Sequence, residues 1–203
     1  MPQDLFRWIN HPGSPAHRIL ITKTTATIFE WASESFDRRL AGSTSEDRAL
    51  DGRGLNNAFA LAQSKFLVVE LCPPMSRTYL CGEVLRETMI YPFPPSEPND
   101  EPLVPATEFE EFVKRIKHVI GVHGSKLLFL DAKRWVCSVD TNWVELKYYL
   151  RHFPIPSYWQ NQQRELLIAA TCNGDILFVR SNEVAVINGG LEFEERVELD
   201  EAE

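Results

Sequence analysis

GSKLLFLDAKRWVCSVD, residues 124–140, reads as two short strands about a polar turn. Leu127-Leu128-Phe129-Leu130 is apolar without alternation, Asp131 to Arg134 is polar, and Trp135-Val136-Cys137 opens a second apolar arm. Aromatic and branched residues fill both arms, and neither arm is long enough for a helix to be the better reading. A run that does not alternate is expected to be covered on both faces, because a strand with one wet face alternates apolar and polar residues. The hairpin therefore belongs between two other layers.

Three further stretches share this grammar: HRILITKTTATIFEWA from His17, SKFLVVELCPPMSRTYLCGEVL from Ser64 and GDILFVRSNEVAVINGG from Gly174. Their turns fall at Lys23 to Thr25, at Pro73-Pro74 and at Arg180 to Asn182. Ile176-Leu177-Phe178-Val179 nearly superimposes on Leu127-Leu128-Phe129-Leu130, so burial on both faces is expected there too. The openings recur at intervals of about 50 residues, at or just above the length of one four-stranded propeller blade. The expected fold is all-β with minor α: a β-propeller-like repeat of hairpins or blades, as a four-unit compact ring or a partial one. It spans 1–190, with units near 5–42, 55–91, 106–145 and 146–190. Another all-β arrangement such as a sandwich, or an α+β fold, is the competing class.

Residues 107–116 predict one short helix, with Phe109, Phe112, Val113 and Ile116 on one face, Thr107 as its cap and Glu110 as the capping-box partner. Two stretches read as surface insertions. Residues 43–57 are rich in Gly, Ser, Asp and Arg, and 91–105 contains Pro92, Pro94, Pro95, Pro98, Pro102 and Pro105, which remove ladder donors. The acidic run across 191–203 is expected to be a disordered, solvated tail.

Charge and cysteine usage narrow the function. With 29 acidic against 21 basic side chains, a net charge of −8, a nucleic-acid backbone is not an expected partner. MPQDLFRWINHPG lacks the basic start and apolar core of a secretion signal, and no stretch approaches the ~18 apolar residues of a membrane helix. Cys72, Cys81, Cys137 and Cys172 form no C-x-x-C, so they read as reduced, buried thiols in a cytoplasmic protein. No cofactor and no metal are expected.

The C-terminal half resembles the last propeller blades of fungal NACHT and ankyrin/WD40-type proteins of the STAND class. The likeness is carried by His118-Val119-Ile120-Gly121, by residues 125–131, by Trp135-Val136-Cys137-Ser138, by Arg151-His152-Phe153-Pro154-Ile155-Pro156 with Trp159, and by 164–167 running on to 174–179 and 183–187. Trp8-Ile9-Asn10-His11-Pro12 with Phe29-Glu30-Trp31 looks like an earlier blade. The resemblance implies a WD40-type propeller used as the sensor or interaction portion. The G-x-x-x-x-G-K-[ST] phosphate loop of the family's switching domain is absent from this sequence.

Candidate chemistry is sparse. Cys137, Asp140 and His152 could supply a nucleophile, an orienter and a base, although packing roles suit the strand-like surroundings of Cys137 and His152 better. His118 and His123, five apart on a strand, point to opposite faces and cannot share a metal. Glu110 and Glu111 diverge on a helix, which leaves hydrolase chemistry without a pair. Trp143, Tyr148, Tyr149, Tyr158 and Trp159, with Arg134 and Arg151, are the types that dominate binding hot spots, and they flank one strand-like segment where loops would gather. The expected function is non-catalytic protein–protein recognition, as a sensor or scaffold piece of a fungal signalling or immune-type assembly. Self-association through open strand edges is allowed for. The alternatives are an enzyme with a thiol or hydrolytic site around Cys137 and His152, and a fragment of a longer propeller without activity of its own.

Overall fold

The computed structural model describes residues 6–11, 17–22, 25–30, 36–39, 54–61, 66–72, 86–93, 103–141, 146–160, 166–180 and 182–199. Four antiparallel sheets follow one another along the chain. Sheet I holds β1 (Arg7–Asn10), β2 (His17–Ile21), β3 (Thr25–Glu30) and β4 (Phe36–Arg39) in that order. Sheet II holds β5 (Gly54–Leu61), β6 (Phe66–Cys72) and β7 (Glu87–Pro92). A 3₁₀ turn, Thr107–Phe109, runs into the short helix α1 (Glu110–Val113) and leads to sheet III, built from β8 (Ile116–His123), β9 (Lys126–Asp131), β10 (Trp135–Asp140) and β11 (Tyr148–Pro154). Sheet IV holds β12 (Leu167–Ala170), β13 (Ile176–Arg180) and β14 (Glu183–Ile187), after which β15 (Glu195–Glu198) returns to pair with β11 at the edge of sheet III.

The described chain is thus all-β apart from one short helix and two 3₁₀ turns, and within each sheet strands consecutive in the chain pair as hairpins, β15 excepted. The sheets stack in series. One apolar cluster joins I to II through Ile19, Ile21, Leu67 and Leu71; a second joins II to III through Leu61, Val68, Leu127 and Phe129; a third joins III to IV through Leu128, Leu130, Ile176 and Phe178. The first strands of successive sheets touch, β1 to β5, β5 to β8 and β8 to β12. Side chains that alternate across a pleat explain the middle of the stack: Leu127 and Phe129 face II while Leu128 and Leu130 face IV, so the continuous run is buried on both sides. Among the described residues the strands do not close into a barrel or a complete ring.

Several expectations are corrected here. The third unit does not end at 145, since β11 stays in sheet III, hydrogen-bonded to β10. The insertion 43–57 overlaps β5, which buries Leu55, and 91–105 contains the buried Tyr91 and Leu103 of the I–II cluster; residues 43–53 and 94–102 lie outside the described residues. Pro92 is tolerated because β7 is an edge strand that needs no outward donor. Ile116 belongs to β8, not to the helix, and Thr107 makes no capping bond: Ala106 occupies the cap position without a side-chain hydrogen bond. The tail expected to be disordered contributes β15, held by the ladder to β11 and by Val197 and Leu199 packing on the II–III cluster. The turn at Pro73-Pro74 lies outside the described residues.

Candidate functional site

Of the side chains that suggested a thiol site, Cys137 and His152 are both fully buried in sheet III and are engaged separately. The Cys137 thiol donates to the Trp135 carbonyl at 3.3 Å, and burial followed by the charge of Asp131 pushes its ionisation far above the ordinary thiol range. His152 is the extra residue of a bulge in β11, where Val136 faces Phe153 and Cys137 faces Arg151. Its Nδ1–H donates to the Phe193 carbonyl at 2.6 Å, and the Ser138 hydroxyl donates to Nε2 at 2.8 Å. Burial lowers its proton affinity, so the ring sits neutral with both nitrogens occupied. Asp140 is exposed at the end of β10. These three residues form no nucleophile–base–orienter array.

Tyr149 and Arg151, expected at a surface, are structural. Asp131, buried at the end of β9, accepts from the Trp135 backbone N–H at 2.9 Å through Oδ1, and from Arg151 Nη2 at 2.6 Å and Nε at 2.8 Å through Oδ2. The fork of the guanidinium fixes β11 to the turn, and its carbon lies 5.7 Å from the Trp135 ring centre. Tyr149 is in the II–III cluster beside Phe129, and burial pushes its phenol up to about 12. Arg134 takes a left-handed backbone, φ 61°, in the same turn, with its N–H donating to the Asp131 carbonyl and its own carbonyl accepting from Ile155. The Asp131 bonds hold that conformation in place.

The remaining aromatic candidates do not converge. Tyr148 stacks under Arg196, 3.8 Å from the guanidinium carbon, on the β11–β15 edge. Tyr158 and Trp159 lie in the 3₁₀ turn Ser157–Gln160 beneath Arg180, whose guanidinium carbon is 4.7 Å from one ring and 5.1 Å from the other. Arg180 also donates to the Tyr158 carbonyl at 2.8 Å and to Glu183 at 3.1 Å. Trp159 packs on Phe178 in the III–IV cluster, whereas Tyr158 is 63% exposed. Trp143 lies outside the described residues.

Glu70 was not among the residues singled out from the sequence. It sits on β6, wholly buried, and reaches across to sheet III: Oε1 accepts from the Val119 N–H and His118 Nδ1, each at 2.8 Å, while Asn56 and Asn57 donate to Oε2. Burial raises its proton affinity, but the bond and charge of His118, the Val119 N–H and Arg86 outweigh that and hold the carboxyl below the usual range. A polar residue interrupting the apolar run of β6 was the only available signal. His123, by contrast, lies beside Gly174 of sheet IV, so the two histidines do face different neighbours. Among the described residues no group of three His, Cys, Asp or Glu could hold a metal, and no helix is long and apolar enough to cross a membrane.

What lies open is an apolar face. On sheet IV Leu167 is 64%, Val184 65% and Val186 51% exposed, beside the half-buried Leu177 and Val179. No protein family matches this sequence, and a search of curated proteins finds no relative.

Proposed function

We propose that the chain is a non-catalytic protein-recognition module, a partial WD40-type β-propeller of the kind that the resemblance to fungal NACHT proteins implies, working in the cytoplasm as a sensor or scaffold piece. The serial stack, with neighbouring first strands and a meander in each sheet, supports the propeller reading, because blades stack radially in this way. One observation carries the functional reading. The open face of sheet IV presents apolar side chains to solvent, a surface of the sort that marks protein contact, while Cys137, His152 and Asp131 are taken up by structural bonds.

Affinity capture by the wild-type chain and by Val184→Glu tests it, each first verified as folded by circular dichroism. The expected result is a protein retained by the first, lost by the second, and bound again when both components are purified. Equal retention by the two chains, or none, would overturn the reading.

A further inference from the structure

β7 is an edge strand of sheet II, and its open side is only partly covered. The Ile90 carbonyl accepts from the Ala106 N–H at 2.8 Å, after which the chain leaves into the 3₁₀ turn Thr107–Phe109. Outward backbone groups recur at every second residue of an edge strand, so Thr88 and Arg86 turn their N–H and carbonyl groups to the same side as Ile90. Among the described residues no strand pairs with them there. Beside this stretch lies a cavity of about 370 Å³, lined among others by Thr88 and Ile90 of β7, Val113 of α1, and Ile116.

Thr88 is the residue of that lining which the fold leaves unexplained. It is 6% exposed, and its hydroxyl has no hydrogen-bond partner. Glu70, directly opposite in the ladder, cannot serve: Asn56, Asn57, His118 and the Val119 N–H already fill the four lone-pair sites of its carboxylate. An unpaired buried hydroxyl costs stability that valine, of the same shape, would avoid. The charges of the lining are mixed. Arg86, Lys114 and Lys117 stand with Glu87 and Glu110, while Arg86 also lies against Glu70 and Lys114 bonds Glu111, so neither sign dominates.

We infer that this edge takes an extended, uncharged peptide segment of a partner protein, added to sheet II beside Arg86 and Thr88 with a threonine opposite Thr88. A backbone amide is neutral and needs the donor and acceptor that the edge offers, which a free apolar ligand in the cavity would leave unpaired. A guest residue opposite Thr88 places its side chain on the same face, the one that carries Ile90 into the joint with sheet III. A threonine there sets its methyl against the apolar lining and gives the Thr88 hydroxyl a partner. Rotation about χ1 exchanges the hydroxyl and methyl of Thr88, which turns the hydroxyl from its closed position toward the guest. This site is separate from the open face of sheet IV and does not depend on it.

Fluorescence polarisation with a dye-labelled, amidated Gly-Val-Thr-Val-Gly peptide tests this on the whole chain, together with amide hydrogen exchange read by NMR. The expected result is saturable binding that slows exchange of the Thr88 amide about tenfold or more and leaves that of Leu177 unchanged. Methylating the backbone nitrogen of the peptide's threonine removes the donor to the Thr88 carbonyl and should abolish binding. Thr88→Val should weaken binding about tenfold while raising the urea midpoint of the free protein. Val184→Glu should bind the peptide as the wild type does, which separates failure here from failure of the sheet IV reading. No saturable binding up to about millimolar peptide overturns the proposal, as does equal binding of the methylated peptide. An unchanged affinity or a lowered midpoint for Thr88→Val overturns it too, since the hydroxyl would then serve no guest or serve the fold.

Discussion

Leu127-Leu128-Phe129-Leu130 and Ile176-Leu177-Phe178-Val179 are written almost alike, yet the first run is buried at every position and the second only at every other one. Both are interior strands of their sheets, both pair on each side, and both pack one face on the III–IV cluster. The difference is a layer. Sheet III has sheet II on its other side, and sheet IV has solvent. Burial of a strand is thus a property of its neighbours, and the energy of a side chain can differ severalfold between two copies of one motif.

The largest expected contrast is in thiol chemistry. Cys172 is exposed in the turn that follows β12, whereas Cys137 is enclosed in sheet III with its thiolate disfavoured by burial. Per-site alkylation followed by mass spectrometry should find Cys172 modified in the native protein on the order of a thousandfold faster, and the two equal in denaturant. Native labelling of Cys137 at the rate of Cys172 would break the comparison and reopen a thiol site.

Next in size is a pair of truncations. Leu128→Ala removes a side chain packed between sheets III and IV and should cost about 2–5 kcal/mol in urea unfolding. Leu177→Ala, at the matching position of the repeat but on the open face, should cost under about 1 kcal/mol in the monomer. A cost for Leu177→Ala that grows with protein concentration would sharpen the comparison, because the missing layer would then be supplied by a second molecule.

The hairpins were legible because apolar arms and polar turns are local signals, and the two-sided burial of residues 127–130 followed from their lack of alternation. Residues 176–179 misled for the same reason: a strand can be composed for two covers while one is absent, and nothing in it records that. β15 was hidden by charge, since Glu195, Arg196 and Glu198 read as solvated although Val197 and Leu199 pack inward. Tyr149 and Arg151 have the composition of a hot spot, but the identity of Arg151's partner, Asp131 some 20 residues away, depends on strand register. Glu70 reaches His118 across 48 residues, a contact made only by stacking.

The smallest expected effect is one of pH, and it comes from His152 in sheet III. Burial holds the folded ring neutral, with Lys126 adding to the shift and the Phe193 carbonyl and Glu194 opposing it. In the unfolded chain the ring titrates near its ordinary value of about 6.5, so below that pH the unfolded state takes up a proton that the folded state refuses. Stability is therefore full above about pH 7 and declines as pH falls through 6.5, with a slope of at most about 1.4 kcal/mol per pH unit from this group. Glu70, whose carboxyl is depressed, begins to lose its contribution only below the ordinary carboxylate value, so the window from about pH 5 to 6.5 is free of it. His11, lowered by burial and then by His17, acts in the same sense, which makes the informative quantity the wild-type slope minus that of a variant. His152→Gln keeps an amide donor and acceptor toward Phe193 and Ser138 but cannot titrate, so its urea midpoint should fall less steeply across that window. Parallel profiles for the two proteins would mean that the folded ring takes up its proton at the same pH as the unfolded one, and that below that pH its bond to Ser138 runs from imidazole to hydroxyl.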